Sequence, residues 1–251
     1  MSHQARKRFG QNFLVDDQIV NRIVSTISPK KSDNIVEIGP GKGALTFPLL
    51  EHLDHLSVIE IDRDLISLLK LKKQDKLTIY EADALKFDYG LISNNLRIVG
   101  NLPYNISSPL LFHLLSSKNK IIDMTFMLQK EVVDRIVAKH GSKTYGRLSV
   151  MMQTFFEVES MFTVPKESFD PRPKIESAIL YLKTRTKPLT QNTKLLEKIV
   201  KVSFSQRRKT LKNCLKSILS QEQTEIDLSQ RAEMLSIENF VILMKDYEKQ
   251  N

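Results

Sequence analysis

The chain has 251 residues, 41% hydrophobic and 27% charged, enough for one large folded domain or one domain with a small appendage. A formal net charge of +9 favours a polyanionic partner, and the single cysteine, Cys214, excludes an intramolecular disulfide framework and fits a reducing compartment. No apolar run approaches the roughly 20 residues of a membrane-spanning helix, and the polar start of the chain is no secretory signal, so a cytoplasmic protein is expected.

Three cations, Arg6, Lys7 and Arg8, are followed by Phe9, Gln11, Asn12, Phe13 and Leu14. Cations followed by interleaved aromatics and amides suit an arm that meets nucleic acid or a cofactor, though a solvated terminus reads much the same. Ile19, Ile23, Val24 and Ile27 recur at helical spacing and predict a helix over 16–28. The apolar run from Asn34 to Ile38 leads into Gly39, Gly41 and Gly43, and Ala44-Leu45-Thr46 opens a helix, which is the pattern of a nucleotide-binding βα turn. The glycine spacing is G-x-G-x-G rather than G-x-G-x-x-G, which weakens a dinucleotide reading.

Residues 56–62 predict the second strand, ending in Glu60 and Asp62 about 20 residues after the first glycine, where an acid can accept from ribose hydroxyls. Strand alternation expects both carboxylates on one face. A helix over 63–73 and a strand over 77–81 follow, and then Asp83, placed either for an adenine amino group or as an N-cap. The next strand, 96–100, feeds Asn101-Leu102-Pro103-Tyr104. An asparagine oxygen there can accept from an amine, and a tyrosine face can stack a base; a rigid strand-to-helix loop is the plainer alternative. Helices over 109–115, from about 132 to 137 and over 145–156, with strands over 124–128, 159–164 and 177–184, complete a doubly wound, mostly parallel sheet whose last strands can run antiparallel.

Pro171 and Pro173 hold a loop extended and leave Phe169 to close a base pocket opposite Tyr104 or to cap the core. The polar segment 185–191, with Pro188, is the best boundary, dividing a domain of residues 1–185 from a wholly helical one of residues 186–251. Between Lys198 and Lys216 stand seven cations and no acid, with Arg208, Lys212 and Lys216 at i, i+4 and i+8 on one helical face. That pattern favours a phosphate-tracking surface. The histidines form no convincing metal cluster, and no P-loop or G-x-S-x-G is present.

The segments 10–14, 37–41, 101–104, 169–173 and 204–211 together resemble the ribosomal RNA adenine dimethyltransferases, and within them the bacterial small-subunit type. The tetrapeptide at 101–104 also occurs in DNA adenine methyltransferases; its combination with the arm and with Arg207-Arg208-Lys209 carries the likeness. The resemblance implies a Rossmann-like class I methyltransferase sheet followed by a small all-α RNA-binding domain. It implies S-adenosylmethionine as methyl donor, held by Gln11, Asn12, Leu14, Gly39, Gly41, Glu60, Ile61, Asp83, Ala84 and Asn101, with Glu60 on the ribose and Asp83 on the adenine. Catalysis would fall to Asn101, Leu102, Pro103 and Tyr104 with Phe169, and RNA binding to Arg6, Lys7, Arg8, Arg207, Arg208, Lys209 and Lys212. The implied substrate is a pair of adjacent adenosines in the 3′-terminal hairpin loop of small-subunit (16S) ribosomal RNA, in an immature small ribosomal subunit. A monomer without metal or membrane is expected. The alternatives are a large-subunit methyltransferase of the macrolide-resistance type and a non-catalytic RNA- or DNA-binding assembly or transcription factor on the same fold.

The chemistry agrees with these residues. The N6 lone pair of adenine is delocalised into the ring, and two acceptors, the Asn101 side chain and the Leu102 carbonyl, would turn it towards the methyl group. Orientation of that kind can supply ~7–11 kcal/mol.

Overall fold

The computed structural model describes residues 12–72, 74–206 and 208–250. Of the sequence-predicted functional residues, Arg6, Lys7, Arg8, Gln11 and Arg207 lie outside that set. The chain divides into two compact units. One holds the described residues up to Val133 together with Glu159–Thr184; the other holds Asp134–Val158 together with the described residues from Arg185 onward.

In the first unit, β1 (Phe13–Leu14) leads into α1 (Asp17–Ile27), whose start is fixed by Asp16 accepting from the Gln18 and Ile19 amides at 3.0 and 3.2 Å. The apolar stripe of α1 buries Val20, Ile23, Val24 and Ile27, each worth roughly 1.5–3 kcal/mol against exposure. Then follow β2 (Asn34–Ile38), α2 (Thr46–Leu50), β3 (Leu56–Glu60), α3 (Arg63–Leu71), β4 (Leu77–Glu81), β5 (Leu96–Asn101), α4 (Ser107–Ser116), β6 (Ile121–Gln129) and α5 (Lys130–Ile136). After α6 (Arg147–Phe155) come β7 (Phe156–Val164), β8 (Phe169–Asp170) and β9 (Ser177–Thr184). The seven-stranded sheet has the order β4-β3-β2-β5-β6-β9-β7. Neighbours from β4 to β6 are parallel and β9 is antiparallel to β6, as the alternation of strands and helices predicts. The order reverses between β2 and β5, so the crevice above their carboxyl ends is the expected ligand position.

Two local differences bear on function. The strand expected over 56–62 stops at Glu60, because Asp62 turns to cap α3, accepting from the Asp64 amide at 3.1 Å. Alternation therefore ends before Asp62, and the two acids do not share a face of one strand. At the opposite end of the sheet, Arg97 on β5 is an anchor. Its guanidinium meets Asp33 at 2.7 Å and Asp123 at 3.0 Å, and donates to the Ile27 carbonyl at 2.7 Å, which ties the end of α1 to the sheet.

The second unit is helical, built from α6, α7 (Thr193–Ser203), α8 (Leu211–Leu215) and α9 (Ile237–Glu248). The sequence places α6 in the first domain, but α6 groups with the helical unit, where it contacts α7 and α9. Phe204 stands between Tyr145 and Phe240, with ring centroids at 6.2 and 5.5 Å. The shared helical face expected for Arg208, Lys212 and Lys216 is a correction. Helix α7 ends at Ser203 and α8 begins at Leu211, where the Leu211 and Lys212 amides donate to the Gln230 and Leu228 carbonyls, both at 2.8 Å. Those carbonyls satisfy donors that a continuous helix would have paired internally. Arg208, Lys212 and Lys216 therefore do not form one helical stripe.

Candidate functional site

A cavity of about 300 Å³ opens at the carboxyl ends of the first unit's parallel strands. The turn after β2 forms one wall. Gly39 and Gly41 adopt φ of +66° and +58°, a region open to glycine at no steric cost. At Gly41 a Cβ would lie 3.3 Å from the Phe13 ring, so the glycine backbone and the arm residue are in tight contact. The Lys42 ammonium covers that ring at 4.5 Å.

Glu60 ends β3 at the cavity wall and is only 7% exposed. Its Oε1 accepts from the Ile61 and Asp62 amides at 2.8 and 2.9 Å, and its Oε2 faces the Gly41 amide at 3.4 Å. Burial pushes its carboxyl up, against the pull of the three amides. The amides fix its direction and leave Oε2 with acceptor capacity. Asp83, half-buried just past β4, also lines the cavity, with Ala82 and Ala84 beside it. Its Oδ1 caps the following turn by accepting from the Leu85 amide at 2.9 Å. Ile61, half exposed, and Val15 give the cavity apolar wall.

Asn101 closes β5 on the opposite wall. Its Nδ2 donates to the Asn12 carbonyl at 3.0 Å. A carbonyl can only accept, so this contact assigns Nδ2 as the amide nitrogen and Oδ1 as the acceptor of the side chain. The Leu102 amide donates to the Met127 carbonyl at 3.1 Å, which carries the β5–β6 ladder one step into the motif. Pro103 follows, and its carbonyl accepts from Ser107 Oγ at 3.0 Å at the start of α4. Tyr104 is half-buried in the cavity wall with its hydroxyl 3.2 Å from Ser177 Oγ. Burial pushes its phenol up.

Phe169 is a correction. It is 4% exposed, belongs to the core cluster and does not line the cavity. The reason is β8: antiparallel pairing of Leu14 with Phe169 and of Phe13 with Asp170 turns the phenylalanine inward and Asp170 out. Of the two readings open in the sequence, the core-capping one describes its place. The same pairing, with Ser168 Oγ on Asp16 Oδ2 at 2.8 Å and the Val15 amide on the Ser168 carbonyl at 2.9 Å, ties residues 13–16 beside the site and places Leu14 in its wall.

The structure also supplies residues that sequence reasoning missed. Glu37, inside β2, is 2% exposed and lines the cavity. Burial pushes its carboxyl up to about 7, opposed by Thr46 Oγ1, which donates at 2.6 Å, and assisted by the nearby Glu60 charge. An acid inside the apolar run of residues 34–38 was the available signal. Ser177 gave none. Asp62, by contrast, is no part of the cavity wall.

In the helical unit, Arg208 and Lys209 are exposed in the turn before α8, and Lys212 is exposed on α8 itself. They are solvent-facing cations offered from a turn and a short helix rather than from one helical face. Among the described residues no group of three or more histidines, cysteines or acids could hold a metal ion, and no helix is long and apolar enough to cross a membrane.

A model of the family described as ribosomal RNA adenine dimethylase matches residues 2–249. The chain is 54% identical over 251 residues to the Ribosomal RNA small subunit methyltransferase A of Saccharophagus degradans, covering 96% of this chain and 94% of the relative. A relative of the same name from Legionella pneumophila is 53% identical over 252 residues, covering 98% of each chain. Among solved structures, a dimethyladenosine transferase from Plasmodium falciparum matches with a TM-score of 0.82 at 27% identity, covering 95% of this chain and 98% of that one. The 23S rRNA methyltransferase ErmE matches with a TM-score of 0.74 at 25% identity, covering 94% and 100%.

Proposed function

The chain belongs to the ribosomal RNA adenine dimethylase family, and from that membership we propose that it transfers methyl groups from S-adenosylmethionine to adenosine N6 amines of ribosomal RNA. The substrate in this reading is the pair of adjacent adenosines in the 3′-terminal hairpin loop of small-subunit RNA, within an immature small subunit. Relatives of about half identity that carry the small-subunit name support that choice over the large subunit. The observation that carries the chemistry is the Asn101 amide, whose nitrogen is committed to the Asn12 carbonyl. In this reading its oxygen is the acceptor offered to the target, which an exocyclic amine satisfies and a base oxygen does not.

The residues present fit the donor. A glycine turn leaves the backbone open at Gly39, where an added Cβ would meet only the Asn101 carbonyl at 3.9 Å. Glu60 and Asp83 bring carboxylate acceptors to the ends of β3 and β4, suited to ribose hydroxyls and to an adenine amine. Asn12, Leu14, Gly41, Ile61 and Ala84 supply the remaining contacts in this assignment. When bound, S-adenosylmethionine supplies an electrophilic methyl on a sulfonium that leaves without protonation.

The chain's own work is orientation. Asn101 Oδ1 and the Leu102 carbonyl accept the two N6 hydrogens and turn the nitrogen lone pair out of conjugation. Pro103 holds the turn between them and Tyr104, whose ring offers a face for the flipped base. Exposed Arg208, Lys209 and Lys212 of the helical unit, with Arg6, Lys7, Arg8 and Arg207 of the sequence, serve the RNA backbone. We assign methyl transfer to residues 1–185 and RNA binding to 186–251, in a monomer working in the cytoplasm.

The test is transfer of labelled methyl to unmethylated small-subunit particles, large-subunit particles and naked RNA, in single turnover. Label in two adjacent small-subunit adenosines is expected. The likeness to ErmE makes the large-subunit particle the informative competitor, and label there instead would overturn the substrate choice. Asn101→Ala should lower the rate far more than particle affinity, because its contact strengthens as the nitrogen becomes tetrahedral. A wild-type rate would remove the amide from the mechanism, and a particle-binding chain with no transfer at all would favour an assembly factor.

A further inference from the structure

We propose that Ser177 is a positioning residue for methyl transfer: from the sheet it sets the angle of the Tyr104 ring, so that the ring stacks the target base. The inference rests on the reading of Tyr104 as the base platform.

Tyr104 lies in the turn between β5 and α4, outside any strand. A ring hung from a turn has freedom about two side-chain torsions, and a stacking platform needs both fixed. The far end of this ring is held, with the hydroxyl 3.2 Å from Ser177 Oγ. Ser177 is 1% exposed and opens β9, which is no mobile support. Its Cα pairs with Gln129 of β6, and β6 pairs with β5 through Asn101 opposite Met127. Beside it the Lys130 amide donates to the Glu176 carbonyl at 3.0 Å. Two hydrogen-bonded ladders therefore set Ser177 in the same frame as Asn101. One end of the frame orients the amine, and the other orients the face on which the base rests.

The hydroxyl pair also suits the environment. Burial keeps the Tyr104 phenol protonated well past neutral pH, so it remains a donor or acceptor to a neutral serine across the working range. A serine buried to this degree without a partner would carry a desolvation cost. A purely structural serine would be satisfied equally by a carbonyl of its own strand, whereas this one reaches 73 positions back to the motif.

The experiment is a double-mutant cycle of Ser177→Ala and Tyr104→Phe, each of which removes the bond and leaves the ring. Two quantities are read. One is the single-turnover methylation rate on small-subunit particles. The other is the fluorescence of 2-aminopurine placed at the target position of reconstituted particles, which reports stacking of that base. Each single variant should lose roughly twofold to tenfold in rate, the worth of one neutral hydrogen bond. The double variant should lose no more than either alone, since the same bond is removed twice. Fluorescence should move in each by the same part of the change seen in Tyr104→Ala, while donor affinity by calorimetry stays at the wild-type value. Multiplying losses, or a silent Tyr104→Phe beside a slow Ser177→Ala, would overturn the proposal by showing a serine that acts elsewhere. If burial makes Ser177→Ala unfold, Tyr104→Phe alone decides, and wild-type rate and fluorescence in it would sink the idea. The underlying reading is tested separately, by methylation in wild-type protein and by the fluorescence change in Tyr104→Ala, whose absence would remove the ring as the base platform whatever Ser177 does.

Discussion

The Glu37 carboxyl makes a prediction whose size follows from its surroundings. It is 2% exposed inside β2, and burial lifts it from its ordinary 4.5 to about 7. In the unfolded chain the same group releases its proton near 4.5. Between those two values the folded protein holds a proton that the unfolded chain has lost, so stability falls as pH rises through that window and the loss is complete above about 7. At about 1.4 kcal/mol per tenfold change in proton affinity, the gap is worth about 3 kcal/mol. Glu37→Gln cannot ionise, and its amide oxygen still accepts from Thr46 Oγ1, the bond that wild type makes at 2.6 Å. The variant should therefore gain on wild type by about 3 kcal/mol between about pH 4.5 and pH 8, whatever its offset at the acid end. Urea unfolding followed by far-UV circular dichroism at the two pH values, on both proteins, measures this difference of differences; titrations elsewhere cancel in it. An offset that stays constant within about 0.5 kcal/mol would mean that water or a counter-charge reaches Glu37, refuting the desolvation argument.

Glu60→Ala should weaken S-adenosylmethionine binding by about 1–3 kcal/mol, through loss of a charged acceptor for the ribose, and wild-type affinity by calorimetry would withdraw that role. Replacing Arg208, Lys209 and Lys212 by alanine should weaken RNA binding and reduce the log–log salt slope by roughly 0.7–0.9 for each phosphate left without its cation, with donor affinity unchanged; an unchanged slope would make these cations ordinary solvated surface. Arg97→Met should cost about 3–5 kcal/mol, since Asp33 and Asp123 would remain low in the sheet without the guanidinium that meets both. Chemical denaturation measures it, and a loss under about 1 kcal/mol would show those acids to be well solvated.

Local pattern alone determined most of the scaffold. The strands at Asn34–Ile38, Leu77–Glu81 and Ser177–Thr184 coincide with apolar runs between turn residues, and α1 with a stripe at helical spacing. The glycine turn, Glu60, Asp83 and the motif at 101–104 stand in one cavity because the βα alternation brings strand ends together, whatever the strands contain. What needed the tertiary structure was the identity of partners. Asn101 is oriented by a carbonyl 89 positions away, and Tyr104 by a hydroxyl 73 positions away. Such pairs depend on the register of ladders between distant strands, which leaves no periodic trace in either segment. Two local readings were decided by the same cause. Phe169 took the core-capping place of its two readings, where the arm pairs with it, and Arg208 stands outside the helix of Lys212, whose first amides donate to carbonyls of the 228–230 backbone. Hydrophobic period reports which face of an element is buried; competition for backbone hydrogen bonds is decided by whichever distant segment arrives, and only the folded chain contains that information.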